Sequence, residues 1–161
     1  MKKNAFLVFG AGLLAGVLLA GVIGWSVMPS MMLRERVSPL GFDETVAKIE
    51  SNAKDGGWVV SGVRKLDQSI RKHGGGEVIR VSLVEMCQPH HAARILNDPE
   101  GRKASVLMPC SVSVYEDEQG VVRVVSMNSG MMGRMFGGVI SEVMGGSVSR
   151  EQGEILGFLD E

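Results

Sequence analysis

The sequence predicts an α+β domain preceded by one apolar helix. Three observations carry that expectation. From Ala5 to Leu33 no residue is charged. Phe42, Val46, Ile49 and Ala53 then recur at helical spacing, with Asp43 and Glu44 in the first turn and Gly56-Gly57 as a stop, the pattern of an amphipathic helix with both ends marked. Further on, apolar runs of strand length at 106–116 and 121–127 flank Asp117-Glu118-Gln119-Gly120, a hairpin signal. Of the 161 residues, 1–30 therefore divide off as an anchor and 31–161 as a single domain of ordinary size.

Residues 5–28 are almost wholly apolar or glycine, long enough as a helix to cross a bilayer core of about 30 Å. Lys2 and Lys3 precede them as in a signal sequence, but the run exceeds the roughly 7–15 residues of a cleavable one. The expectation is an uncleaved signal anchor: one pass through the cell inner membrane via residues 5–28, with the domain on the periplasmic side. That orientation rests on the signal-like order of features, since Lys2 and Lys3 nearly balance Arg34 and Arg36 across the helix. Gly12, Gly16, Ala20 and Gly24 fall four apart, a strip of small residues along which a second copy's helix can approach, so a homodimer is a candidate assembly. Gly and Ala are also simply frequent in membrane helices.

The domain follows in order. Residues 31–37 have the character of a short strand ended by Pro39 and Gly41, 42–55 form the helix described above, and 58–63 read as a strand. Residues 66–73 make a short helical connection into Gly74-Gly75-Gly76, a loop without the Lys-Ser/Thr of a phosphate cradle. In 77–86, Ile79, Val81 and Leu83 alternate with Arg80 and Ser82, so the apolar set is expected to face inward, with Glu85 and Cys87 continuing it. Pro89 opens a helix through Leu96, stopped by Asn97-Asp98-Pro99. In the first hairpin strand Met108, Cys110, Val112 and Val114 share one side, and Cys110 falls within a residue or two of Met127 across the turn. Asn128-Ser129 cap a glycine-broken helical stripe through Met132, Met135, Phe136, Val139 and Val143. Ser149 and Gln152 have the spacing of a capping box ahead of a terminal helix.

Composition narrows the function. The net charge of −1 and the absence of a Lys/Arg run leave no electrostatic footprint for nucleic acid. With aromatics at 5% and eleven methionines, the core is filled by Val, Ile, Leu and adaptable Met. No Ser/His/Asp triad, catalytic carboxylate pair or nucleotide fingerprint can be assembled, which leans away from an enzyme.

The chemistry-bearing residues gather between Glu85 and Cys110, which holds both cysteines and two of the three histidines. Cys87 precedes a helix whose first N–H groups favour a thiolate, while Glu85 opposes ionisation if near. Both cysteines are expected on one sheet face, leaving a structural disulfide, a dithiol redox pair or a shared metal as outcomes. His90 and His91 lie three and four residues beyond Cys87, and Met127 lies near by the hairpin mapping. Cys87, Cys110, His90, His91 and Met127 are thus the candidate ligands for copper, zinc or haem. Against this stands the ordinary tendency of cysteine and methionine to serve as core residues.

Glu-Met-Cys-Gln-Pro with Ala92-Ala93 after it, then Met-Pro-Cys leading into Val-Ser-Val-Tyr-Glu and Gly-Val-Val, resembles the domain of unknown function 302 family over roughly residues 41–128. The resemblance implies a curved antiparallel sheet with helices on one face, similar to the TATA-binding-protein arrangement, and implies no established activity. Many members carry Gly-Asn-Pro where this chain has Cys87-Gln88-Pro89, and Leu-Pro-Leu where it has Met108-Pro109-Cys110, so the two cysteines mark a subgroup. Three functions follow in order of expectation: a membrane-anchored binding module whose paired-cysteine site takes a metal, haem or sulfur species; a thiol enzyme attacking through Cys87 and resolving through Cys110; and a disulfide-stapled interaction domain.

Overall fold

In the computed structural model the described residues are 2–160, less the side chains of residues 2–11, Ala15 and Pro29. The chain divides into two compact units between Met32 and Leu33. The first is a helix, α1 (Lys2–Met32). Among the described residues no helix is long and apolar enough to cross a membrane, which corrects the expectation of a single-pass inner-membrane protein with a periplasmic domain. A crossing takes about 20 consecutive apolar residues. The expected span starts in residues whose side chains lie outside the described ones, and the unbroken described part, Gly16 to Met28, is shorter than that.

The second unit is the expected α+β domain. Its strands are β1 (Leu33–Val37), β2 (Val59–Lys65), β3 (Val81–Cys87), β4 (Cys110–Glu116) and β5 (Val122–Met127), and its helices begin with α2 (Phe42–Asp55), α3 (Leu66–Lys72) and α4 (Pro89–Asn97). The strands form one antiparallel sheet in the order β1-β5-β4-β3-β2. α2 starts where Glu44 Oε2 accepts the Gly41 N–H at 3.2 Å and buries Phe42, Val46, Ile49 and Ala53, the stripe read from the sequence. It packs on β2, β3 and β4, and Val84, Met86, Val112, Val114 and, from β5, Val124 belong to the same core.

The parity of β3 differs from the expectation. Ser82, Val84 and Met86 are buried, while Val81, Leu83, Glu85 and Cys87 are half-buried. Val81 and Leu83 are apolar on one face and Val84 and Met86 on the other, so alternation alone is ambiguous here, and the small Ser82 disguised the covered side. Glu85, on the other face, pairs with Arg64 of β2 at 2.6 Å. That face also carries a polar cluster in which Glu35 accepts hydrogen bonds from Tyr115 Oη at 3.0 Å and Arg123 Nη1 at 2.9 Å.

The chain after β5 is more continuous than its glycines suggest. Asn128 caps α5 (Ser129–Phe136), accepting the Met131 N–H. Gly137 and Gly138 turn the chain with φ of 70° and 51°, values that favour glycine. From there α6 (Gly138–Glu142), a π-turn (Val143–Val148) and α7 (Ser149–Ile155) follow without a break. Ser149 is accordingly no helix cap, and Gln152 instead accepts a hydrogen bond from Ser129 Oγ at 2.7 Å, both residues being buried.

α5 lies so close to the π-turn that a Cβ on Gly133 would sit 2.4 Å from the backbone nitrogen of Gly145. Because backbone rather than a pliable side chain is in the way, Gly133→Ala should destabilise the domain by about 1–3 kcal/mol despite the higher helix propensity of alanine. Urea unfolding measures this, and a neutral or stabilised variant would refute the close approach.

Candidate functional site

The sheet register decides which side chains meet. Met86 of β3 pairs with Cys110 of β4, so the last residue of β3 and the first of β4 lie at one corner of the sheet. Cys110 continues the inward set Val112 and Val114, as expected. Cys87 does not share that face by parity, because it pairs with the exposed Val59. It reaches the corner because β3 ends there and the chain turns into α4. Both cysteines are free, and both line one cavity of about 30 Å³ together with His91, Met108, Met144 and Trp58.

Met127 does not line this cavity but packs against the core. Residue Val112 pairs with Ser126, so extending the hairpin sets Met127 beside Ser111, one residue from the expected neighbour. His90 is exposed and takes no part. Two other methionines, Met108 and Met144 of the π-turn, line the cavity; π-turns interrupt helices often at functional sites. Met144 lay within a glycine-broken stripe whose fold was not legible, whereas Met108 was adjacent to Cys110 all along.

The helix N-terminus is not available to Cys87 in the way the sequence suggested. Gln88 caps α4, its Oε1 accepting the N–H groups of His90 at 2.7 Å and His91 at 3.2 Å. Burial, helped by the nearby Cys87, pushes the Cys110 thiol up to about 11 from an ordinary 9.0. Charging a sulfur in an apolar cavity sacrifices hydration that nothing replaces.

His91 is held from the other side. Its Nε2 lies 2.9 Å from Glu151 Oε1, and the other carboxylate oxygen, Oε2, accepts Trp58 Nε1–H at 3.0 Å. Neither Glu151 nor Trp58 stood out in the sequence. Among the described residues no three His, Cys, Asp or Glu side chains form a group able to hold a metal ion, which removes the donor set that zinc requires. Haem is also unsuited to a cavity of about 30 Å³, since cofactor pockets run to several hundred.

A family comparison covers this whole arrangement. Residues 34–150 match the family described as "Domain of unknown function DUF302". The chain belongs to the DUF302 family. Its fold is that of a solved member, the crystal structure of an uncharacterized conserved DUF302 protein from Bacillus stearothermophilus, with a TM-score of 0.67 at 22% identity over 81% of this chain and 97% of that one. No curated protein matches. The DUF302 match ends at residue 150 and so includes the π-turn that carries Met144.

The raised pKa of Cys110 has a measurable consequence in this DUF302 domain. Since burial favours the neutral thiol, the stability this contributes is complete below about pH 9 and is lost as pH rises towards about 11. In the folded chain, alkylation of Cys110 by iodoacetamide should be slow at pH 8 and climb up to about tenfold per pH unit towards pH 11, following the thiolate fraction. Mass mapping of the labelled peptide reads this, and a rate that levels off by pH 9 would contradict it.

Proposed function

We propose that this DUF302 domain is a binding module in which Cys87 and Cys110 together take a soft monovalent cation, Cu(I). The observation that carries the reading is the composition of one small cavity, which two free cysteines and two methionines, Met108 and Met144, line together. Thiolate and thioether sulfur prefer Cu(I) over harder ions, and Cu(I) is satisfied by two thiolates where zinc asks for four ligands. A cavity of about 30 Å³ admits an ion without its hydration shell, which suits a cation that sheds water readily. The two cysteines are then the feature that sets a subgroup of the family apart.

Binding must displace the proton held on Cys110, so uptake strengthens as pH rises. Anaerobic titration of the full chain with Cu(I) against a colorimetric chelator tests the reading. One ion per chain is expected, with Cys87→Ser and Cys110→Ser each weakening affinity by about 100-fold or more. Loss confined to one cysteine would overturn the shared site. Formation of a Cys87–Cys110 disulfide without metal uptake would instead assign the pair to thiol–disulfide chemistry.

A further inference from the structure

One face of the sheet carries the core, and among the described residues none on the opposite face is buried. That second face has a charge order of its own. Its outward-pointing charged residues are Glu35 on β1, Arg123 on β5, Glu85 on β3 and Arg64 on β2, while central β4 presents Ser111, Ser113 and Tyr115. In the strand order β1-β5-β4-β3-β2 the signs therefore run negative, positive, neutral, negative, positive. Within each half the charges pair, Arg123 with Glu35 at 2.9 Å and Arg64 with Glu85 at 2.6 Å, and Asp117 of the hairpin turn also binds Arg123, at 2.8 Å. The member left more open differs in sign between the halves. Side-chain exposure is 47% for Glu35 against 33% for Arg123, and 60% for Arg64 against 20% for Glu85. One edge of the face thus presents a carboxylate and the other a guanidinium.

We propose that this face is a docking surface for a second copy of the chain, laid face to face about a two-fold axis that runs along β4. Such a half-turn sets β1 of one copy over β2 of the other, and β5 over β3, so every charged strand meets one of opposite sign. A half-turn about an axis across the strands would instead set each strand over itself and oppose like charges. The ladder puts Glu35 and Arg64 in register for the first arrangement. Glu35 pairs with Val125, Val125 with Ser113, Ser113 with Leu83, and Leu83 with Arg64, so the five lie in one row across the sheet. Turned about β4, that row meets itself reversed, with Ser113 on the axis, Leu83 against Val125 and Arg64 against Glu35. Ser111 and Ser113 are small enough to let the sheets approach, and sheets packed face to face lie about 10 Å apart, a gap that a glutamate and an arginine span together. Leu33 and Val37 on β1 and Val59 on β2 are each more than half exposed, and opposing β1 to β2 brings these bare apolar edges over one another. The same patch serves on both copies, so the assembly closes at two. None of these residues lines the cysteine cavity, so the surface stands apart from the Cu(I) reading.

Sedimentation velocity of the full metal-free chain, followed over a range of concentrations, tests this surface. The parent chain should show a monomer–dimer equilibrium. Glu35→Arg and Arg64→Glu should each weaken it about tenfold or more, because each sets like charges against one another at both ends of the interface. An equimolar mixture of the two variants should recover the parent affinity. In the mixed dimer both cross-copy pairs are again of opposite sign, whereas damage inside a chain is not repaired by mixing. Ser113→Lys, which sets two ammonium groups face to face on the axis, should leave a monomer. Circular dichroism identifies any variant that has unfolded, and the folded ones then decide. A parent chain that stays monomeric, a dimer that the folded variants leave unchanged, or a mixture of folded variants that associates no better than either alone would overturn the dimer.

Discussion

The pairing of β3 with β4 is the constraint on which the site depends. Its register sets Met86 against Cys110, and at that level β4 begins while β3 has one residue left. Two cysteines 23 positions apart in sequence, 87 and 110, are thereby brought to one corner although their side chains belong to opposite strand parities. A slip of one residue in this ladder would turn one strand over and expose either Val84 and Met86 or Val112 and Val114, so the buried core holds the register. The pairing is central in the sheet, flanked by β2 and β5, and Val84, Met86, Val112 and Val114 on it are almost fully buried. The site thus stands at the end of the most protected part of the molecule.

What closes around that corner is helical and less regular. α4 begins immediately after Cys87, and Gln88 consumes the N–H groups that might otherwise have met a thiolate. The π-turn brings Met144 and Val148 over the cavity, and the close contact of Gly133 with Gly145 seats α5 against it. Glu151 then ties α7 to α4 and to Trp58, the residue before β2. A rigid floor with a cover fastened by a few polar links is the usual division of labour in a binding site, because the floor sets the donor positions and the cover sets access.

Much of the fold was legible in the sequence. The helix of Phe42, Val46, Ile49 and Ala53 and the hairpin around Asp117–Gly120 announce themselves because each has one polar and one apolar side. β3 did not, since Val81 and Leu83 compete with Val84 and Met86 for the covered face, and only the packing of α2 decides between them. The segment after Gly137 was illegible for a different reason: its glycines read as breaks, yet their lack of side chains is what allows α5 and the π-turn to touch. Of the residues that line the cavity, Cys87, Cys110 and His91 are those that residue chemistry and spacing single out. His90 and Met127 do not line it, because spacing along a chain does not say which way a side chain points. Glu151 and Trp58 are distant in sequence from the cysteines, and Met144 depends on the π-turn, so no local pattern announces them.

The chemistry proposed for the corner depends on both sulfurs meeting one ion. X-ray absorption at the copper edge of the full chain loaded anaerobically with one equivalent of Cu(I) observes this directly. A first shell dominated by sulfur, losing one sulfur scatterer on Cys87→Ser and one on Cys110→Ser, is the expected result. A shell of nitrogen and oxygen, or one left unchanged by either substitution, would contradict it.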